Sequence, residues 1–273
     1  MTDYYKESEV IIMNFVSVRS ALQFIEQSEL PPQKVDRSEL FNLPAGLGVG
    51  HESSAQRAVV VGCDIISFVN AVSSERRQAL VNSSLLAQLV AKKRVPDSSR
   101  IYEWYDAYFD ALGNLGWAVQ ERGFAVHQQT SENFSAHQAI LAVAETLLAG
   151  APASLALVKS TLDALRSMDT TSPWITLFAR ESQNAKSAKF QVSLVNANEP
   201  GPFGVTMMAF GLEATSMITQ VLFFKAKQSS ATLRQYSGKI TINTDVLDGI
   251  HDAIRKKLLG ISEKYILGLP DLT

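Results

Sequence analysis

The hydrophobic period of this chain changes near residue 170, and that change decides the fold class. Before it, apolar residues recur at three- and four-residue intervals; after it they recur at every second position. Five segments carry the second pattern: WITLF from Trp174, AKFQVSLV, FGVTMMAFGL, MITQVLFFKA and the region around LRQYSGKITIN. Each is rich in β-branched and aromatic residues and is bounded by Gly, Pro, Asn or Ser, so each reads as a strand. The turns between them are short, which favours an antiparallel meander. Val205, Met207 and Ala209 lie on one face of the third strand, with Met208, Phe210 and Leu212 on the other. A strand apolar on both faces must be covered on both.

The front half supplies that cover. Ile11, Phe15, Val18, Leu22 and Ile25 are spaced 4-3-4-3, one stripe of a helix over about Val10–Gln27 that Pro31-Pro32 ends. Val61, Ile65, Phe68 and Val72 likewise favour a helix over Ala58–Ala71. Ser73 or Ser74 caps the next helix, through Val81; Asn82-Ser83-Ser84 marks a restart, and SLLAQLVAKKR ends before Pro96.

The stretch from Arg100 to Val126 joins the two regimes. Tyr102–Phe109 holds five aromatics, and its apolar positions cover so much of a helix that several sides must be buried. Trp117, Val119, Phe124 and Val126 then alternate as in a strand. Ser135 with Gln138 forms a capping box for a helix to Leu148, Pro152 opens another to Met168, and a last helix starts at Thr244-Asp245. The expected fold is one α/β domain of the α+β type, residues 1–273, with a mostly antiparallel sheet packed between helices. Helices occupy about 1–115, 135–168 and 245–265, and strands about 117–126 and 174–243.

Several function classes are disfavoured. A net charge of −2 and pI of about 6.1 give no concentrated basic face for nucleic acid. Cys63 is the single cysteine, so no intramolecular disulfide can form. The four histidines, His51, His127, His137 and His251, have no metal-ligand spacing, and no metal is expected. There is no basic segment followed by an apolar core at the start, and no apolar run long enough to span a membrane. The chain is therefore expected to be cytoplasmic as synthesised; any release would proceed without a classical signal peptide. GLGVG at Gly46–Gly50 has neither the preceding strand nor the GK[ST] of a phosphate loop.

The chemistry-bearing candidates are few. Cys63, flanked by apolar neighbours, is either a small buried hydrophobe or a nucleophile awaiting a histidine. Phe203, Met207, Met208, Phe210, Met217, Phe223 and Phe224 are either a two-sided sheet core or the lining of a lipid pocket, since methionine adapts to pliable apolar surfaces. The Ile11–Ile25 stripe is either core or an interface.

NSSLLAQLVAKK, WYDAYFDALGNLGWAVQERGF, LVKSTLDAL, FQVSLV and VLFFK, followed by a C-terminal amphipathic helix, occur in an order that resembles the Erwinia virulence factor family of microbial proteins. The likeness covers about Val60 to Leu267. It implies an α/β domain of unusual topology, a buried fatty-acyl chain, and a role in colonisation of, or toxicity to, an insect gut. In that family the acyl chain is attached to a cysteine in the C-terminal half. This chain has no cysteine after Cys63, so the covalent site does not carry over and a non-covalent pocket would have to serve. The function this implies is a non-enzymatic virulence or insecticidal-type protein that meets lipid or host membrane through an apolar pocket, with a bound fatty acid as its one expected small molecule. The alternatives are a cysteine- or serine-dependent hydrolase or acyltransferase, and a cytosolic interaction module.

Overall fold

A computed structural model describes residues 16–32, 57–69, 72–119, 125–127, 133–196, 203–218, 220–223, 225–227 and 231–269. The Gly46–Gly50 loop, Ile11, Phe15 and His51 lie outside them.

Among the described residues, seven helices flank a nine-stranded sheet. The helices are α1 (Val18–Gln27), α2 (Ser74–Arg94), α3 (Ile101–Asn114), α4 (Ala136–Leu147), α5 (Pro152–Ser167), α6 (Pro173–Ser182) and α7 (Thr244–Lys257). The long strands are β7 (Ser187–Asn196), β8 (Phe203–Ala214) and β10 (Ala231–Ile242), paired antiparallel in sequence order as the alternation predicts. Shorter strands complete the sheet: β1 (Ala58–Val61), β2 (Asp64–Phe68), β3 (Trp117–Ala118), β4 (Ala125–His127), β6 (Gln183–Asn184) and β11 (Ile266–Gly268). The order runs β11-β1-β2-β7-β8-β10-β3, with β4 also on β10 and β6 also on β7. β2 pairs parallel with β7; the other pairings among the described residues are antiparallel. β5 (Asn133–Ser135) and β9 (Lys225–Lys227) form a separate two-stranded ribbon.

The sheet separates two cores. Met207, Ala209 and Tyr236 pack beneath α1, α2, α3 and α7. Phe190, Met208 and Phe210 pack beneath α4, α5 and α6. The aromatic helix α3 is buried on several sides, as its composition requires: Trp104, Tyr105, Tyr108 and Phe109 are all within the first core. Trp104 stacks on Tyr108 at 5.2 Å, and Phe109 meets Tyr236 at 4.9 Å. Such pairs contribute roughly 0.5–1.5 kcal/mol each beyond area burial.

Four sequence expectations are corrected. Ala58–Ala71 is not a helix but the β1–β2 hairpin, closed by Gly62-Cys63 with Val61 opposite Asp64. Consecutive β-branched residues on either side of a glycine favour the hairpin, and both strands are buried on both faces, which mimics a helical spacing. Gly62 has φ +56°, and a Cβ there would sit 2.3 Å from Gln88 Oε1. Trp174–Phe178 is not a strand; it opens α6, with Pro173 in its first turn and Ile175, Phe178 and Ser182 inward at helical spacing. MITQVLFFKA is not one strand: Val221–Phe223 forms a 3-10 turn, and β9 follows. Finally, α2 runs unbroken from its Ser73 cap to Arg94. Its interior Asn82-Ser83-Ser84 is tolerated because Ser83 accepts from Trp117 Nε1 at 3.1 Å and Ser84 Oγ lies 3.3 Å from Tyr108 Oη.

Smaller expectations meet mixed outcomes. α4 does start after Ser135, yet the Ser135 side chain makes no capping hydrogen bond. Of the Ile11–Ile25 stripe, Ile25 is buried and Val18 lies against Gly249 of α7 so closely that a Cβ there would be 2.9 Å from Val18 Cγ1. Val18 and Ile25 of that stripe are thus core packing. Leu22 is more open.

A basic cleft at the hairpin tip

The turn of the β1–β2 hairpin lies beside the C-terminal half of α2, and a cleft opens there. Leu85, Gln88, Leu89 and Lys92 project from one face of α2. Cys63 comes from the hairpin, Trp104 from α3, Lys189 from near the start of β7, Arg180 and Glu181 from the end of α6, and Tyr265 from the segment before β11. The enclosed cavity is about 80 Å³. That holds a carboxylate- or phosphate-sized group and falls well below the roughly 300–1,000 Å³ that encloses a drug-sized ligand.

Charge is unevenly distributed around it. Glu181 accepts from Lys92 Nζ at 2.8 Å and from Arg180 Nε at 2.9 Å. Burial opposes the charge on Lys92, but Glu181 more than offsets this and its pKa stands above the ordinary lysine range. Arg180 also donates to the Lys264 carbonyl at 2.8 Å, and both Arg180 and Lys92 lie over the Tyr265 ring. Lys189 is different. It is 9% exposed, its Nζ lies 5.1 Å from the Trp104 ring centroid, and it makes no hydrogen bond or ion pair among the described residues. Burial lowers its pKa, and Lys92 adds to the effect while the Cys63 and Glu181 positions oppose it. Three cations face one carboxylate, which the first two already occupy.

Behind Lys189 a polar row runs inward along the same face of β7. Gln191 is fully buried, and neither amide atom has a hydrogen-bond partner among the described residues. Ser193 Oγ donates to Asp64 at 3.0 and 3.1 Å. Burial pushes the Asp64 carboxyl up to about 7, against the hydrogen bonds from Ser193, the Ile65 backbone and Ser84.

Cys63 lies at the mouth of this row with its chemistry suppressed. Its backbone N–H donates to Gln88 Oε1 at 3.1 Å, and Sγ lies 3.4 Å from the same oxygen. Burial pushes the thiol up to about 12. A nucleophilic cysteine needs the opposite shift. The nearest ionisable group in sequence, Asp64, is held by Ser193 rather than by a histidine. The small buried hydrophobe is the reading this geometry supports.

Of the apolar residues considered for a lipid pocket, Met207 does not share one space with Met208 and Phe210. Met207 belongs to the core under α2 and α3, while Met208 and Phe210 belong to the core under α4–α6, with the sheet between them. All three are fully buried. Met217 is 69% exposed beyond the end of β8. Phe203 starts β8 and Phe223 ends the 3-10 turn; Phe224 lies outside the described residues. Among the described residues no group of three or more His, Cys, Asp and Glu could hold a metal ion, and no helix is long and apolar enough to cross a membrane.

Sequence reasoning missed the cleft because its residues come from six separate elements. One local signal existed: Lys189 interrupts a strand that is otherwise buried, and a charge at such a position is rarely accidental.

No protein-family model matches the chain, and no curated protein matches it. Among solved structures it is similar to a delta-endotoxin, with 15% identity and a TM-score of 0.29 over 69% of this chain and 90% of that one. It is also similar to a structure of the Evf virulence factor, with 11% identity and a TM-score of 0.29 over 80% of this chain and 85% of that one. Both are weak likenesses, and no residue role is carried over from either.

Proposed function

We propose that this is a non-enzymatic binding protein whose cleft at the hairpin tip receives the anionic group of a ligand. One observation carries the reading: Lys189 presents a nine-tenths-buried amine to the cleft with no carboxylate partner among the described residues. An uncompensated buried cation is costly, and a ligand anion would remove that cost. Lys92 and Arg180 extend the positive field to the rim. The suppressed Cys63 thiol supports binding over cysteine catalysis.

A carboxylate of a fatty acid, a lipid headgroup phosphate and a free small anion present the same chemistry here. In the lipid form of the proposal the headgroup occupies the cleft and the chain lies outside the 80 Å³ cavity. A virulence or insecticidal-type role at a host membrane is the setting that the sequence resemblance implies.

Calorimetric titration with inorganic phosphate and acetate, alongside flotation with phosphatidylglycerol vesicles, tests the reading. Saturable binding of the free anions that Lys189→Met abolishes is expected. Binding to vesicles alone, also abolished by Lys189→Met, would identify a lipid headgroup as the source. No binding in either assay, or binding indifferent to Lys189→Met, overturns it.

A further inference from the structure

We propose that Lys189 captures a small anionic carbonyl compound, such as a 2-oxo acid or an aldehyde acid, as an imine. This deepens the cleft-binding reading and rests on it.

Several features of the cleft meet the needs of that step. The amine is buried at the cavity wall and is not tied up by a carboxylate, so its lone pair is available whenever it is neutral. Burial and the neighbouring Lys92 both favour the neutral form, the two devices by which proteins activate lysine nucleophiles. Lys92 and Arg180 line the same cavity, and their charge, shared with Glu181, would draw the ligand's carboxylate in beside Nζ. The Trp104 ring, with Leu85 and Leu89, walls the amine from bulk water, and this favours a condensation that releases water. The size agrees as well, since about 80 Å³ admits only a few heavy atoms.

The step balances without an oxidant or reductant. The Nζ lone pair forms the C–N bond, and the carbonyl oxygen takes up a proton to give a carbinolamine. That oxygen then leaves as water with both amine protons, and the nitrogen lone pair forms the C=N bond. No turnover is required, so the capture is stoichiometric and reversible by hydrolysis.

The whole chain is incubated with glyoxylate and sodium cyanoborohydride near neutral pH, and adducts are mapped by peptide mass spectrometry. The expected result is one carboxymethyl adduct, at Lys189, formed faster than at any exposed lysine, since the buried amine beside Lys92 is more often neutral. Inorganic phosphate should slow it by competing for the cleft. Lys189→Arg removes the amine nucleophile and should lose the adduct. Adducts spread evenly over surface lysines, or none at Lys189, overturn the capture. If phosphate still binds in that case, the anion-binding reading stands alone; if it does not, both fail. Should Lys189→Arg not fold, protection by phosphate in the unaltered chain decides the question.

Discussion

Gln88 on α2 fixes the backbone of Cys63 at the hairpin tip: its Oε1 accepts from Cys63 N at 3.1 Å while its Nε2 donates to the Val61 carbonyl at 2.9 Å. One amide side chain thereby spans the turn from outside, doing for Gly62-Cys63 what a neighbouring strand would do for a longer loop. The thiol is held against the same oxygen.

Cys63 should therefore alkylate slowly. At neutral pH a thiol pushed up to about 12 is almost wholly protonated, and burial blocks the reagent as well. Iodoacetamide labelling is expected to track global unfolding along a urea gradient. Rapid stoichiometric labelling of the folded chain would contradict the geometry.

Removing the Gln88 amide leaves the Cys63 N–H and the Val61 carbonyl buried without their side-chain partner. Gln88→Leu is expected to destabilise by roughly 1–3 kcal/mol per orphaned group. Chemical denaturation measures this directly, and Cys63 labelling should accelerate in the same variant.

Asp64 makes stability depend on pH. Its folded pKa, about 7, lies above its unfolded value of 3.8, so the protonated form is the one that folding favours. The contribution is fully present below pH 4 and is lost as pH rises through 7, by an amount on the order of 4 kcal/mol. Asp64→Asn should flatten the unfolding free energy between pH 4 and 8 while the unaltered chain loses stability across that window.

Gln191 should be replaceable at a profit in stability. Its two amide atoms are buried without partners among the described residues, a desolvation cost of roughly 1–3 kcal/mol. Gln191→Met, which keeps the length and removes the polar atoms, is expected to raise the denaturation midpoint. A lower midpoint would mean that the amide is bonded in solution.

Tyr105 ties α3 to the sheet. Its hydroxyl lies 2.9 Å from the carbonyl oxygens of both Phe190 and Phe210, which are paired across β7 and β8. Tyr105→Phe removes the donor and leaves the rings in place, so a loss of about 1–3 kcal/mol is expected in equilibrium unfolding.

How far the sequence exposed this molecule depended on how many elements each feature needs. β7, β8 and β10 were legible because period-2 alternation is local and each strand carries at least ten residues of it. α5 was legible from Pro152 and its inward Val158, Leu162 and Leu165. Ala58–Phe68 was not, because two short strands buried on both faces show the same apolar run as a buried helix. Trp174–Phe178 alternates over five residues, too short a window for the helix period of Ile175, Phe178 and Ser182 to show. The cleft was least legible, since Lys189, Lys92 and Arg180 meet only through the register of β2 on β7 and the docking of α6.

The pairing of β1 with β11 bears on how the chain matures. Val61 lies opposite Ile266, and Asp64 opposite Gln191, so the hairpin can find neither neighbour while only the front half has left the ribosome. Helices α2 and α3 can associate during synthesis, but one edge of the sheet must wait for almost the last of these residues to emerge. Until then four consecutive apolar residues, Ala58–Val61, have an open flank that any other extended chain could occupy. Completion of this edge thus follows helix pairing, and it is the step at which holdase chaperones would have most to protect.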